Sequence, residues 1–130
     1  MKKYILIDDE EIFNFIQSEV IHLHDQSNEV IMFTSGAEAL TYLKSLITQN
    51  ESFPDFILLD IRMPNMNGFE FLDELMKFDL KVFDKTKIYL LSSSIDERDI
   101  KKASDYPFVN GFKGKPLSEE IIQEINKTEE

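Results

Sequence analysis

The segment DFILLDIRMPNMNG, residues 55–68, joins an apolar run to a polar turn that contains Pro64 and Gly68. An uninterrupted apolar run, here residues 56–59, is typical of a strand that is covered on both faces of a parallel sheet. Proline and glycine are residues that turns favour, and both follow this run. The sequence therefore predicts a buried strand that ends on the isolated carboxylate of Asp60.

Strand-like runs of this kind alternate with helical patterns over the whole chain. Such alternation is typical of βαβ units, and it predicts an α/β fold of the (βα)5 type, doubly wound around a five-stranded parallel sheet. The second, third and fourth runs are continuously apolar, so we expect those strands to be covered on both faces. The predicted strands are residues 4–7, 30–33, 56–59, 88–91 and 108–112.

Apolar residues spaced three and four positions apart predict amphipathic helices between the strands. We expect these apolar residues to form the faces that pack on the sheet. The pattern consists of Phe13, Ile16, Val20 and Leu23, then Leu40, Leu43 and Ile47, then Leu72, Leu75 and Met76, followed by a weaker helical segment at residues 96–103.

Helix ends are marked by capping residues. Ser35 with Glu38, and Asn67 with Glu70, have the spacing of a capping box, in which two side chains satisfy the first backbone N–H groups. The acidic residues at the start of the last helix suit the positive end of its dipole. Residues 119–130 are expected to form a solvated helix face and a frayed terminus.

Composition limits the possible functions. The chain has 130 residues, a formal charge of −11 and no cysteine, so disulfides and cysteine-ligated zinc are excluded. We expect a cytoplasmic protein, because the absence of cysteine suits a reducing compartment and no apolar run approaches the ~20 residues that span a bilayer. The basic start, residues 1–3, is like that of a signal peptide, but the apolar stretch after it ends at Ile7. The acidity also disfavours nucleic acid and anionic membranes, since both attract clustered Lys and Arg.

Carboxylates follow two of the predicted strands. Asp8 and Asp9 come after the first strand and Asp60 after the third. If these strands are neighbours, the three carboxylates converge where open parallel sheets bind ligands, and their repulsion requires a cation. Oxygen ligands with room for water favour Mg²⁺ over Ca²⁺. The alternative is that Asp8 and Asp9 only end a strand and cap a helix.

Phosphoryl chemistry gives a use to each polar strand ending. A carboxylate such as Asp60 can attack phosphorus when a metal ion neutralises the phosphoryl oxygens. Lys115 could then pair with the phosphoryl charge, and the Ser92 hydroxyl could donate to one of its oxygens. The alternative is that residues 61–68 form only a turn.

At these residues the sequence resembles the receiver domain of two-component response regulators, over approximately residues 3–126. Residues 60–68 fit the signature Asp-x-x-Met-Pro-x-Met-(Asp or Asn)-Gly at every defined position. Asp8-Asp9, Ser92 and Lys115-Pro116 match the other characteristic positions. The resemblance implies a flavodoxin-like sheet with strand order 2-1-3-4-5 and a cis peptide bond between Lys115 and Pro116.

The resemblance also implies a role for each site residue. Asp60 is the expected phosphoacceptor, with Ser92 and Lys115 holding the phosphoryl group. The expected Mg²⁺ ligands are Asp9, Asp60 and the backbone carbonyl of Arg62, with Asp8 helping through water.

Phe112 matches the family's aromatic switch position. Its ring is expected to turn inward when the Ser92 hydroxyl moves to the phosphoryl group. Three consecutive serines leave Ser93 as an alternative for that hydroxyl. The responding surface is expected on the fourth helix, fifth strand and fifth helix, with Ile95, Ile100, Val109 and Phe112 as its apolar candidates.

The resulting hypothesis is a stand-alone receiver, residues 1–130, without an output domain. We expect it to take a phosphoryl group from a histidine kinase or a histidine phosphotransfer protein and to act on a downstream target protein, as a monomer or weak dimer. It is expected to be a signalling domain that catalyses its own phosphorylation and dephosphorylation. One alternative is a phosphorylation-independent scaffold. Another is a haloacid-dehalogenase phosphatase, which is disfavoured because Arg62 replaces its second acid.

Overall fold

The computed structural model describes residues 1–127, in which strands and helices alternate; residues 128–130 of the predicted frayed terminus lie outside this range. The described strands form one parallel sheet of order β2-β1-β3-β4-β5, which confirms the predicted fold class and strand order. The strands are β1 Lys3–Ile7, β2 Glu29–Phe33, β3 Phe56–Asp60, β4 Lys87–Ser92 and β5 Val109–Gly114, and the helices are α1 Glu11–His24, α2 Gly36–Thr48, α3 Gly68–Leu75, α4 Glu97–Ala103 and α5 Glu119–Lys127, with a short 3-10 helix at Leu80–Phe83.

Alternate side chains of the central strands fill two cores, one on each face of the sheet. In β1, Ile5 and Ile7 pack on the core shared with α2 and α3, while Tyr4 and Leu6 pack on the core shared with α1 and α5. All four of these side chains are at most 1% exposed. Burial on both faces therefore explains why the central strands are continuously apolar. Within the described residues, none of the helices is long and apolar enough to cross a membrane.

The expectation that β2 is covered on both faces is wrong. Met32 is 46% exposed, and all five residues of β2, each within the described part of the chain, are exposed or only half-buried. The cause is the position of β2 at the edge of the sheet, where it pairs with β1 on one side and the helices over the sheet centre cover it only partly. A continuous apolar run does not distinguish an edge strand from a central strand.

The last strand begins and ends later than predicted. β5 spans Val109–Gly114 instead of residues 108–112, and its pairing with β4 shifts register between Ile88 and Tyr89. The Asn110 side chain accepts a hydrogen bond from the Ile88 N–H at 2.8 Å, in place of a regular ladder contact. The bulge accommodates one extra residue in β5, and the pairing of β5 with β4 then continues to Ser92 and Gly114.

The predicted packing face of α1 is wrong at two of its four residues, whereas Phe13 and Val20 are half-buried as expected. Ile16 and Leu23, which the spacing assigned to the core, are 44% and 74% exposed. The buried residues of α1 are Asn14, Gln17, Ser18 and Ile21. The Asn14 amide donates to the carbonyls of Asp8 and Phe33, both at 3.0 Å, and so ties α1 to the ends of β1 and β2.

The turn after β3 packs tightly against the first residue of α3. The Gly68 N–H donates to the Ile61 carbonyl at 2.9 Å. A Cβ at Gly68 would lie 2.8 Å from the Ile61 Cα and 3.0 Å from the Asp60 carbonyl oxygen. Asn67 caps α3 with a complete capping box, as predicted, whereas Ser35 caps α2 through its side chain alone. The backbone after β3 therefore leaves no room for a side chain at residue 68.

We predict that Gly68→Ala lowers the free energy of unfolding by about 1–3 kcal/mol, because the added methyl group overlaps backbone atoms that cannot rotate away. Gly114→Ala is the matched control, since a Cβ there meets no atom within 4 Å. Urea denaturation of both variants measures the difference. Equal stability of the two variants would contradict the close approach.

Candidate functional site

Three aspartates meet at the carboxyl ends of β1 and β3. Ile7 pairs with Leu59, so the next residues along these strands, Asp8 and Asp60, are neighbours across the sheet. Asp8, Asp9 and Asp60 each offer a carboxylate oxygen within 4.8 Å of the others. Asp8 is 1% exposed and Asp60 is 4% exposed, while Asp9 is half-buried. The three predicted acidic residues thus lie together where the strand order reverses.

Lys115 approaches these carboxylates from the end of β5. Its Nζ lies 2.7 Å from Asp8 Oδ2 and 3.6 Å from Asp60 Oδ2, and its side chain is 6% exposed. Its backbone N–H donates to the Ser92 carbonyl at 2.9 Å, which holds the segment against β4. The Lys115–Pro116 peptide bond is cis, as the resemblance implied. Burial alone lowers the pKa of Lys115, but hydrogen bonding to Asp8 and the charge of Asp60 outweigh burial and raise it.

The environment of Asp60 disfavours the ionised form of its carboxyl group. Burial and then the neighbouring charge of Asp8 raise the pKa of Asp60 to about 6, against the opposing effect of Lys115. The Arg62 backbone N–H donates to Asp60 Oδ1 at 3.3 Å and also favours the ionised form. At neutral pH, Asp60 is therefore ionised but held at a cost in free energy.

The donor set fits a hard divalent cation. Among the described residues that form this cluster, three carboxylates face the single ammonium of Lys115, which leaves two negative charges uncompensated if all three are ionised. Carboxylate oxygens, with neither His nor Cys among them, are ligands that suit Mg²⁺. The contact of the Arg62 N–H places the backbone of that residue beside Asp60, and its carbonyl stays a predicted ligand.

The predicted switch residues lie on the neighbouring strands. Ser92 is 2% exposed at the end of β4, and its hydroxyl donates to the Ser94 carbonyl at 2.7 Å. Ser93, the alternative, is exposed. The half-buried ring of Phe112 packs beside the core and lines a small surface pocket with Ile100 and Val109.

The contacts of three residues in the site region were not predicted from the sequence. The ring of Phe13 lies under the Lys115 ammonium, at 4.3 Å from Nζ to the ring centroid. Asn14 bonds the ends of two strands, and Arg62 forms a 3.0 Å ion pair with Asp99 of α4. A polar residue inside the apolar spacing of α1 was the available signal for Asn14. The other two contacts join residues far apart in sequence and leave no local pattern.

Comparison with known proteins identifies the family. The family model described as "Response regulator receiver domain" matches residues 4–126. An uncharacterized response regulatory protein of Staphylococcus epidermidis is 29% identical over 126 residues, which is 96% of this chain and 45% of that protein. The transcriptional regulatory protein HptR of Staphylococcus aureus matches with the same identity and coverage. The chain thus spans less than half the length of these curated relatives.

Solved structures show the same fold. A two-component response regulator from Cytophaga hutchinsonii is 32% identical with a TM-score of 0.88, and the match covers 97% of this chain and 94% of that one. A response regulator receiver protein from Dyadobacter fermentans is 28% identical with a TM-score of 0.83, covering 97% and 95%. These structures are similar to the described chain over nearly all of its length.

The raised pKa of Asp60 predicts a pH-dependent contribution to stability. Because the folded state binds this proton more tightly than the unfolded state, the contribution is present below about pH 4 and is lost as pH rises through about 6. Asp60→Asn cannot ionise and escapes this loss. We expect the unfolding free energy of Asp60→Asn, relative to wild type, to increase between pH 4 and 7 by on the order of 2 kcal/mol.

Urea denaturation at several pH values in EDTA measures this difference. The same measurement is repeated with Mg²⁺ in place of EDTA. A bound cation favours the ionised carboxylate and should therefore reduce the difference in unfolding free energy between the two proteins. A difference that stays constant from pH 4 to 7 would show that Asp60 is not perturbed.

Proposed function

Because this chain belongs to the response regulator receiver domain family of two-component systems, we propose that it accepts a phosphoryl group from a phosphohistidine onto Asp60. The observation that carries the proposal is the position of Asp60, a buried carboxylate 3.6 Å from the Lys115 ammonium and grouped with Asp8 and Asp9. A nucleophile, a cation and a metal-ligand set at one strand edge are the parts that phosphoryl transfer requires.

In the proposed reaction, an oxygen of Asp60 attacks phosphorus. The new P–O bond forms as the P–N bond to the histidine ring breaks, and the ring nitrogen keeps the bonding electron pair. Since the pKa of Asp60 is about 6, most molecules hold the ionised nucleophile at pH 7. The reaction is the domain's own modification, so we propose a signalling domain that also catalyses its dephosphorylation rather than a metabolic enzyme.

Positive charge at the site balances the phosphoryl oxygens. The Lys115 ammonium already lies between Asp8 and Asp60, within reach of a group attached to Asp60. We expect Asp9, Asp60 and the Arg62 carbonyl to hold Mg²⁺, with Asp8 ordering a water ligand. When bound, the ion supplies charge neutralisation and alignment of the phosphoryl oxygens.

Phosphorylation would be transmitted through Ser92 and Phe112. The Ser92 hydroxyl now donates to Ser94, so its rotation toward a phosphoryl oxygen breaks a bond that holds the β4–α4 loop. The small pocket beside Phe112 offers room for a change in ring packing. We propose that these two changes shift the population of α4–β5–α5 conformations and thereby alter binding to a target protein.

The proposed partners are a histidine kinase or histidine phosphotransfer protein and a downstream target protein. Nucleic acid and membrane are not proposed as partners, because the net charge of −11 repels phosphate groups. A phosphorylation-independent scaffold has less support, since Asp8, Asp9, Asp60 and Lys115 are all present and grouped. We propose a cytoplasmic monomer or weak dimer.

We predict that wild-type protein gains one phosphoryl mass when incubated with Mg²⁺ and acetyl phosphate. Asp60→Asn should gain none, because its amide is not a nucleophile toward phosphorus. Asp84→Asn is the control, since Asp84 is exposed and precedes the start of β4, whereas the site lies at the carboxyl ends of the strands. Intact mass spectrometry measures the product. The proposal would be refuted if Asp60→Asn gained a phosphoryl mass, or if wild type gained none from either acetyl phosphate or phosphoramidate.

A further inference from the structure

The Lys115 ammonium is enclosed on a side that the two carboxylates do not cover. Asp8 lies 2.7 Å from Nζ and Asp60 lies 3.6 Å from it. The Phe13 ring lies at 4.3 Å, measured from Nζ to the ring centroid, within the range of a cation–π contact. With a side chain only 6% exposed, Lys115 has little access to water.

We propose that Phe13 is a positioning residue for phosphoryl transfer, which holds the Lys115 ammonium against Asp8 and Asp60 through the face of its ring. An ammonium has three N–H donors, and a buried charge needs a partner in each direction. Two directions meet carboxylates, and the negative face of the aromatic ring takes the place of water in the third. This inference rests on the proposed function of Asp60.

The helix turn that carries the ring is anchored by the residue that follows Phe13. Asn14 donates to the carbonyls of Asp8 and Phe33, at 3.0 Å each, and is 2% exposed. Phe13 lies in the first turn of α1, so these bonds tie its backbone to the strand end that carries the site aspartates. The backbone that carries the ring is therefore held beside Asp8, and the ring borders the site.

The Phe13 ring limits where the Lys115 ammonium can move. At present its Nζ is nearer to Asp8 than to Asp60. A phosphoryl group on Asp60 needs the ammonium to turn toward that residue, and a long flexible side chain would otherwise also sample solvent. With the ring in place, the remaining directions are those of the two carboxylates.

The contact itself can be tested by NMR without phosphorylation or metal. In wild-type protein, the Lys115 Cε protons should show an upfield ring-current shift and nuclear Overhauser contacts to the Phe13 ring. Phe13→Leu, an apolar residue without a ring, should remove the shift. Lys115 shifts near random-coil values in wild type would overturn the proposal.

The role in the reaction is tested by the rate of phosphorylation with acetyl phosphate and Mg²⁺. We expect Phe13→Leu to slow labelling roughly two- to thirtyfold, the range that corresponds to cation–π contacts from exposed to desolvated. Phe13→Tyr keeps the ring face and should stay within about twofold of wild type. Phe15→Leu is the matched control, because Phe15 lies on the same helix and is 58% exposed.

The outcomes separate this inference from the proposed function. Labelling of wild type at a rate that Phe13→Leu also reaches overturns the role of Phe13 alone. Absence of labelling in wild type overturns the proposed function and this role together. Thermal denaturation shows whether Phe13→Leu folds. If it does not, the NMR contact in wild type tests the geometry, and the labelling rate of Phe13→Tyr tests the role in the reaction. A Phe13→Tyr rate near that of wild type supports the role, and a loss as large as that expected for Phe13→Leu opposes it.

Discussion

The repulsion among the carboxylates at the ends of β1 and β3 is the constraint on which the site depends. Two of the three, Asp8 and Asp60, are almost fully buried, and Lys115 compensates them only in part. The fold keeps them together because the apolar cores on both faces hold β1 beside β3. The result is a carboxyl group, that of Asp60, whose pKa is raised to about 6, and a donor set suited to a divalent cation.

The sequence sufficed for the parts of the site that follow from strand order. Asp60 and Ser92 end their strands, Asp8 and Lys115 directly follow theirs, and parallel strands bring their carboxyl ends to the same edge. The coverage of individual elements was harder to predict. Apolar spacing placed Ile16 of α1 in the core, but hydrogen bonds of Asn14 to strand-end carbonyls turn a different face inward.

Contacts between residues distant in sequence could not be predicted from local patterns. The ring of Phe13 meets Lys115 only because α1 and the end of β5 border the same edge. The ion pair of Arg62 with Asp99 likewise depends on the placement of α4. These contacts link the acidic cluster to the elements proposed to respond to phosphorylation.

In the proposed function, Asp8, Asp9 and Asp60 form a Mg²⁺ site because the fold holds their charges together. A Mg²⁺ titration of wild type and Asp9→Asn, followed by amide NMR, tests it most directly. We expect chemical-shift changes centred on these three residues and an affinity for Mg²⁺ that falls roughly tenfold or more in Asp9→Asn. Equal affinity in the two proteins, or shifts scattered over the acidic surface, would contradict it.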